Sequence, residues 1–409
     1  MKTIASDIEA GQDNSPDQGP PLDGLLVVDF THVISGPFAT QMLSDMGARV
    51  IKIESESGDI GRHIGPMVQG QSHYFLCFNR NKESIVLDLK SDEGRDAALS
   101  LIASADVVVE NFAPGVMERL GLGYEAVAAC NPRLIYCSIS GFGHTGPLSH
   151  KRSFDLITQA YAGALSTNGD PSGPPTKIGL PIGDTTGSLF AVIAILAALN
   201  HRAQTGTGQK LDLSLFECLL ATLANHGGHY FATGSQPVRT GSHHYFCVPN
   251  GVFATADGHV AIAVTNDEQW MRLARVLGFA DLADDPAYAT MSARNELRSE
   301  INALVEGRLS AHSTREAVEL LDAAAVPCGP VNDIRHAFEE DQAVERNVTL
   351  ALRHPGYGTV RAVRMPIPDS LTRQDFTAPP KLGEHSQAIR DEFLRPSAAS
   401  RQKEAQGSS

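Results

Sequence analysis

The carboxylate with the most chemical promise is Asp184, in Leu180-Pro181-Ile182-Gly183-Asp184-Thr185-Thr186-Gly187. It falls between an extended stretch and an apolar helical run starting near Thr185. An Asp ahead of a helix is an ordinary N-cap that accepts a first-turn N–H, and the residues alone favour that role. Two features point elsewhere. Flanking glycines let a bulky ligand approach the backbone. A helix N-terminus is also expected to keep a carboxylate ionised and ready to act as a nucleophile.

Cations recur in short polar segments. Arg80 and Lys82 lie in Phe78-Asn79-Arg80-Asn81-Lys82, Arg119 follows Glu118, and Lys151 and Arg152 precede Phe154-Asp155. Each alone reads as a solvated charge. Together they fall at strand ends or in the loops beyond, the edge where open α/β sheets bind ligands. His226 and His229 are spaced to share a helix face, with His243 and His244 following. No carboxylate or thiolate completes a metal set around them, so no metal is expected. Histidines lining a polar cavity, or satisfied in the core, are the preferred reading. Gly141-Phe142-Gly143-His144-Thr145-Gly146 has the G-x-G-x-x-G pattern. Pro147 and Leu148 follow it in place of a helix, and no acidic residue stands about 20 positions on. It reads as a loop where backbone passes close to a neighbour.

The elements that must position these groups alternate. Leu25–Phe30, Arg49–Glu54, Ser84–Lys90, Asp106–Asn111 and Arg133–Ser140 are short apolar runs, read as strands. Asp92–Ala105 opens with acidic residues and carries an apolar helical face. Such alternation predicts an α/β fold with a Rossmann-like, mostly parallel sheet. After about residue 215 the pattern changes. Leu215–Ala232 reads as one helix, and Gly251–Thr265 as two strands joined at Ala256-Asp257-Gly258. Helices are expected over Glu268–Leu277, Asn295–Leu309 and Thr314–Ala324, and a late strand over Thr359–Pro366.

Composition sets the limits. The chain has 409 residues, enough for about two or three domains. A formal net charge of −14 argues against wholesale binding of nucleic acid or an anionic membrane. The longest uncharged helical run, Thr185–Asn200, falls short of the roughly 20 residues a bilayer needs and reads as a core helix. Six scattered cysteines without a C-x-x-C pair suggest a reduced, cytoplasmic protein. Residues 1–21 and 396–409 are polar and expected to be disordered.

These stretches resemble class III CoA-transferases, the CaiB/BaiF group that includes formyl-CoA transferase, carnitine CoA-transferase and the α-methylacyl-CoA racemases. The resemblance is carried by Asp29-Phe30-Thr31-His32-Val33, Gly36-Pro37, Val50-Ile51-Lys52-Ile53-Glu54, Asn81-Lys82 and Leu87-Asp88. It continues through Glu110-Asn111-Phe112, Pro114-Gly115, Ser140-Gly141-Phe142-Gly143, Gly183-Asp184, Thr205-Gly206-Thr207-Gly208-Gln209 and Leu382-Gly383-Glu384-His385. It implies that Asp184 is the nucleophile, attacking an acyl-CoA to form an aspartyl anhydride and then an aspartyl-CoA thioester. It implies CoA contacts at Val33, Asn111, Phe112, Arg119 and Arg152, with His32, Ile34, Lys82 and Asp155 in the same candidate set. CoA thioester is substrate, and no prosthetic group is implied.

The resemblance further implies an interlocked homodimer. It implies a large CoA-binding domain over residues 22–215, a linker and small α+β domain over 216–330, and a return segment over 331–395. A small carboxylic acid is the second substrate. Succinyl-CoA is the leading donor, and Gly141, Gly143, His226, His229 and His243 are substrate candidates, with His32 and His244 as further imidazoles. Two departures matter. Racemases place a His before an Asp where this chain has Phe154-Asp155, and Phe cannot move a proton. Formyl-CoA transferase has a Gln where this chain has Ile34, and its tetraglycine loop has no counterpart. Transfer to another acid is therefore favoured over racemisation and over formyl-CoA/oxalate exchange. A non-catalytic CoA-binding protein, with Asp184 as a cap only, is the remaining alternative.

Overall fold

The computed structural model describes residues 19–394. Apart from residues 19–21, the two tails expected to be disordered lie outside the described residues. The chain forms two compact units. The first comprises residues through Ser140, Ser188–Leu213 and the chain from Thr349 on; the second comprises Gly141–Gly187 and Ser214–Val348.

In the first unit, strands β1 (Leu26–Asp29), β2 (Arg49–Glu54), β3 (Lys82–Val86), β4 (Val107–Glu110), β5 (Ile135–Ser140) and β6 (Gln209–Ser214) make one sheet, in the order β3-β2-β1-β4-β5-β6. The pairings from β3 through β5 are parallel. Both faces are covered, so the strands read as continuous apolar runs: Val28, Ile51, Ile85, Val108 and Ile135 are fully buried. Helix α1 (Ser35–Asp45) follows β1. Helix α2 (Asp92–Ser104) starts where the Ser91 hydroxyl accepts the Gly94 N–H, and it buries Ala98, Leu101 and Ile102 against the sheet. Winding reverses between β1 and β4. The crevice beyond the carboxyl ends of those two strands is where such sheets take ligands.

In the second unit, α3 (Asp155–Tyr161) precedes α4 (Ile182–Thr205), whose residues through Gly187 belong to this unit and the rest to the first. The α4 helix has 24 residues, longer than the expected run, and by length and composition it is apolar enough to cross a membrane. Its Ser188, Ala191, Ile195 and Ala198 are buried, while Leu189, Phe190 and Ile193 are exposed. The expected single helix after residue 215 is two, α5 (Leu215–Thr222) and α6 (Ala224–Thr233), because Leu223 departs from helical ψ. Strands β7 (Asn250–Ala254) and β8 (His259–Ala263) form the anticipated hairpin. Helices α7 (Asp267–Val276), α8 (Arg298–Leu309) and α9 (Thr314–Ala323) follow, and β9 (Cys328–Pro330) adds a third strand. Trp270, Phe253, Ile262, Leu273 and Ile301 form the core.

Strands β10 (Thr349–His354) and β11 (Gly358–Val363) pair with each other and not with the main sheet. The domain limits also differ from expectation. Residues 141–187 pack with the second unit because α3 and α5 meet there, and the return to the first unit starts at Thr349.

Candidate active site

At the switch point, the Asn111 side chain ties the ends of β4 and β1 together. His32 N donates to its Oδ1 at 2.8 Å, and its Nδ2 donates to the His32 carbonyl at 2.9 Å. The His32 ring meets Phe112 edge-on, centroids 5.1 Å apart. Val33 has φ 69°, the left-handed region. A β-branched residue is strained there. Its N–H is held by Asp59 Oδ1 at 3.0 Å. Arg119 closes a short helix, Val116–Arg119, and is exposed. The Ile34 side chain, by contrast, is buried and unavailable to a ligand.

Lys82 also departs from expectation. It is buried, and its ammonium donates to Asp29 Oδ2 at 3.0 Å, the Pro37 carbonyl at 2.9 Å and Asn79 Oδ1 at 2.8 Å. All three donors are used, so Lys82 is a structural cation and not a CoA contact. Arg80 is likewise buried, on Asp45. Lys52, set in the middle of an apolar strand, joins the same network. It reaches Asp59 Oδ2 at 3.1 Å and the Thr31 carbonyl at 2.5 Å. Burial pushes Asp29 up, but Lys52, Lys82 and Thr31 outweigh it and hold the carboxyl at about 2. Burial opposes ionisation of Asp59 too, yet Lys52, the neighbouring His32 ring and the Gly61 N–H keep it well below the usual range. Lys52 and Asp59 are the positioning residues that sequence reasoning missed. The available signal was a lysine inside a buried strand, which must be paired.

In the second unit, Asp184 does not precede its helix. The α4 helix begins at Ile182, so Asp184 sits in the first turn. The cap is Asp155, 28 residues upstream of Gly183: its Oδ1 accepts Gly183 N at 2.8 Å and Asp184 N at 3.4 Å. Its Oδ2 accepts Gln159 Nε2 at 2.6 Å, and Gln159 Oε1 accepts Ile178 N at 3.2 Å. Asp155 is buried in this role, which corrects its expected place among CoA contacts. Gly183 makes the approach feasible: a Cβ there would lie 2.9 Å from Asp155 Oδ1, 3.1 Å from Thr158 Oγ1 and 3.2 Å from Leu219 Cδ1. Burial, and after it the negative charge of Asp155, push the Asp184 carboxyl up to about 7. The expectation that the helix terminus keeps Asp184 firmly ionised therefore fails. The first-turn N–H groups serve Asp155, and the half-buried site raises the proton affinity of Asp184.

Around this pair, Arg152 and Phe154 are exposed. The Gly141 carbonyl accepts Phe216 N at 3.0 Å, and a Cβ at Gly141 would strike Ser153 at 2.4 Å. Gly143 has φ 82°. The glycine loop thus serves close packing and a left-handed turn. The histidines separate into two groups. His226, His229 and His244 surround Tyr245, with ring centroids at 5.8, 6.0 and 4.6 Å. His243 lies apart, against Phe253 at 5.3 Å and over Gly251, which corrects its grouping with the others. Among the described residues, no group of three or more His, Cys, Asp or Glu side chains is arranged to hold a metal.

This arrangement can be set beside known proteins. Residues 22–386 match the model of CoA-transferase family III. The succinate–glutarate CoA-transferase of Agrobacterium fabrum is 39% identical over 383 residues, covering 91% of this chain and 96% of the relative. The acetyl-CoA:oxalate CoA-transferase of Acetobacter aceti is 41% identical over 382 residues, 92% of this chain and 97% of the relative. The crystal structure of a CaiB/BaiF family protein from Brucella suis superposes with a TM-score of 0.83 at 40% identity, covering 92% of this chain and 100% of that one. Similarity of this extent, spanning both units, identifies the chain as a member of CoA-transferase family III and an enzyme of that class.

Proposed function

We propose that this enzyme moves CoA from an acyl-CoA, with succinyl-CoA as the leading donor, to a small dicarboxylic acid through covalent adducts of Asp184. The observation that carries the reading is the Asp184 carboxyl, raised to about 7 beside Asp155. An ordinary carboxylate is a poor match for a thiol of pKa about 8.5, so its attack on a thioester runs steeply uphill. A carboxylate of pKa near 7 narrows that gap while leaving a large ionised fraction at neutral pH.

In the first step an Asp184 oxygen bonds to the thioester carbonyl carbon, the C–S bond breaks, and the thiolate leaves with the electron pair. The thiolate then attacks the Asp184 carbonyl of the anhydride, releasing the donor acid and leaving an aspartyl-CoA thioester. The acceptor carboxylate attacks that carbonyl and expels the thiolate. The thiolate finally takes the acceptor acyl group and frees Asp184. One thioester is traded for another, so no external energy source is needed. The N–H groups of Gly183 and Asp184 are engaged by Asp155, so the oxyanion must be stabilised by other donors.

His32, Val33, Asn111, Phe112 and Arg119 are assigned to CoA by their place at the switch-point crevice, and Arg152 by its exposed cation. The names of the two enzymes above carry succinate, glutarate and oxalate, all dicarboxylic acids, which supports the acceptor class. We also propose a cytoplasmic homodimer. The exposed apolar row Leu189, Phe190 and Ile193 supports assembly, and light scattering of the purified chain tests it.

The decisive experiment incubates the enzyme with succinyl-CoA and a panel of carboxylic acids and identifies new thioesters by mass. Hydroxylamine added during turnover should convert Asp184 to a hydroxamate. An active enzyme whose Asp184 peptide stays unmodified, under conditions that trap a reference acyl-enzyme, would sink the covalent reading.

A further inference from the structure

The cluster around Tyr245 has three properties that belong to an anion site. First, the tautomer of His244 is fixed: its Nδ1 accepts Phe246 N at 3.1 Å and Cys247 N at 2.9 Å, which leaves the proton on Nε2 as a donor. Second, the imidazoles of His226, His229 and His244 gather on one aromatic ring, contributed by the α6 helix and the loop before β7. Third, the half-buried Arg298 stands behind them with its charge uncompensated. Its guanidinium donates to the His244 carbonyl at 2.7 Å, the Tyr245 carbonyl at 2.9 Å and Asn295 Oδ1 at 2.6 Å, all neutral acceptors. Among the described residues no carboxylate lies within ion-pair distance of it. In a chain of net charge −14, a half-buried cation left to neutral partners is unusual. Burial and then the charge of Arg298 disfavour protonation of His244; the same two causes lower neighbouring His243, with Glu306 opposing them. His244 therefore offers an Nε2–H donor with the fixed positive charge of Arg298 behind it.

The cluster belongs to the same unit as Asp184. Leu219 on α5 packs at Gly183, the residue before Asp184. Beyond the break at Leu223, α6 carries His226 and His229.

We propose that His226, His229 and His244, with Arg298 behind them, form the subsite that holds the non-reacting carboxylate of the acid substrate. They would be specificity-determining residues selecting dicarboxylic over monocarboxylic acids. This rests on the transfer reading above and adds the group that selects the acceptor.

The test compares glutarate with valerate, its counterpart lacking one carboxylate, as acceptors from succinyl-CoA. In a ping-pong reaction kcat/KM for the acceptor reports only the second half-reaction, so the donor drops out of the ratio. His226→Ala/His229→Ala should lower kcat/KM for glutarate at least tenfold and leave valerate within twofold. His226→Gln/His229→Gln, which restores side-chain N–H donors, should recover selectivity over the Ala pair. Equal losses for both acids, no loss for glutarate, or a Gln pair no better than the Ala pair would each overturn the assignment. If the wild-type enzyme makes no new thioester from any acid, the transfer reading fails. The subsite is then judged by calorimetric titration with glutarate, which should bind the wild type at least tenfold more tightly than the Ala pair. Equal binding would overturn the subsite.

Discussion

Two groups of buried carboxylates in this enzyme meet opposite fates. In the first unit, Asp29 and Asp59 are wholly buried, yet Lys52 and Lys82 draw them below the usual range. In the second unit, Asp184 is only half-buried, yet burial and Asp155 push it up to about 7. Burial raises the carboxyls in both places, and the sign of the neighbouring charge decides the outcome. Where ammonium groups answer the carboxylates, the charges are fixed and define shape: they hold the Thr31–Val33 turn at the ligand crevice. Where a carboxylate is answered by another, the proton is held to near neutral pH, which suits the nucleophile proposed above.

The largest expected effect comes from removing the proposed nucleophile. Asp184→Asn should lower the rate of thioester exchange by about a thousandfold or more, read by single-turnover formation of the new acyl-CoA. The same change should raise the melting temperature at pH 8, because an uncharged amide is freed from the penalty of a buried ionised carboxyl. A variant that kept activity would remove the contrast altogether.

Next in size is the compensated region. Lys52→Met leaves Asp59 and Asp29 short of a cation in a dry interior, and should cost about 3–5 kcal/mol of folding stability by denaturant titration. Lys52→Met/Asp59→Leu should be milder than the sum of the single changes. A cost below about 1 kcal/mol for the single change would show that these charges are not held as described.

A smaller effect concerns pH. Acceptor kcat/KM should rise with pH on an acid limb centred near 7, as the pair containing Asp184 ionises. The sign for stability is opposite. A carboxyl whose folded-state pKa is raised favours the native state below its unfolded value. That contribution is lost as pH rises to about 7. Asp155→Asn removes the like charge, so the acid limb should move to lower pH. An unmoved limb would mean that burial alone sets the value.

The smallest effect is local. Val33→Gly relieves a left-handed φ at a β-branched residue and should change stability by no more than about 1 kcal/mol. Because the turn loses its fixed shape, CoA affinity should weaken about twofold to fivefold by calorimetry, an estimate from added backbone freedom.

The legible parts of the sequence were those with local signals. The five leading strands of the sheet appear as apolar runs within a few residues of their observed limits, since a strand buried on both faces writes its burial into consecutive side chains. Asp184 was legible as a residue of interest, but not its setting. Its helix starts three residues earlier than the apolar run suggests, and its cap arrives from Asp155, a partner no spacing rule supplies. Lys82 misled for the same reason. Within Asn79-Arg80-Asn81-Lys82 it looks solvated, and only the convergence of Asp29, Pro37 and Asn79 makes its burial tolerable. The histidines were visible singly. Their division around Tyr245 and Phe253 depends on the loop before β7, whose path the sequence does not announce.

Gly183 carries a consequence that extends to any variant of this enzyme. Its bare α-carbon leaves the gap through which Asp155 comes alongside Asp184. Even one methyl group there would collide with that oxygen, and Asp184 would lose its electrostatic neighbour. The dipeptide Gly183-Asp184 thus works as a unit, in which an absent side chain admits the charge that adds to burial in raising the proton affinity of the residue that follows.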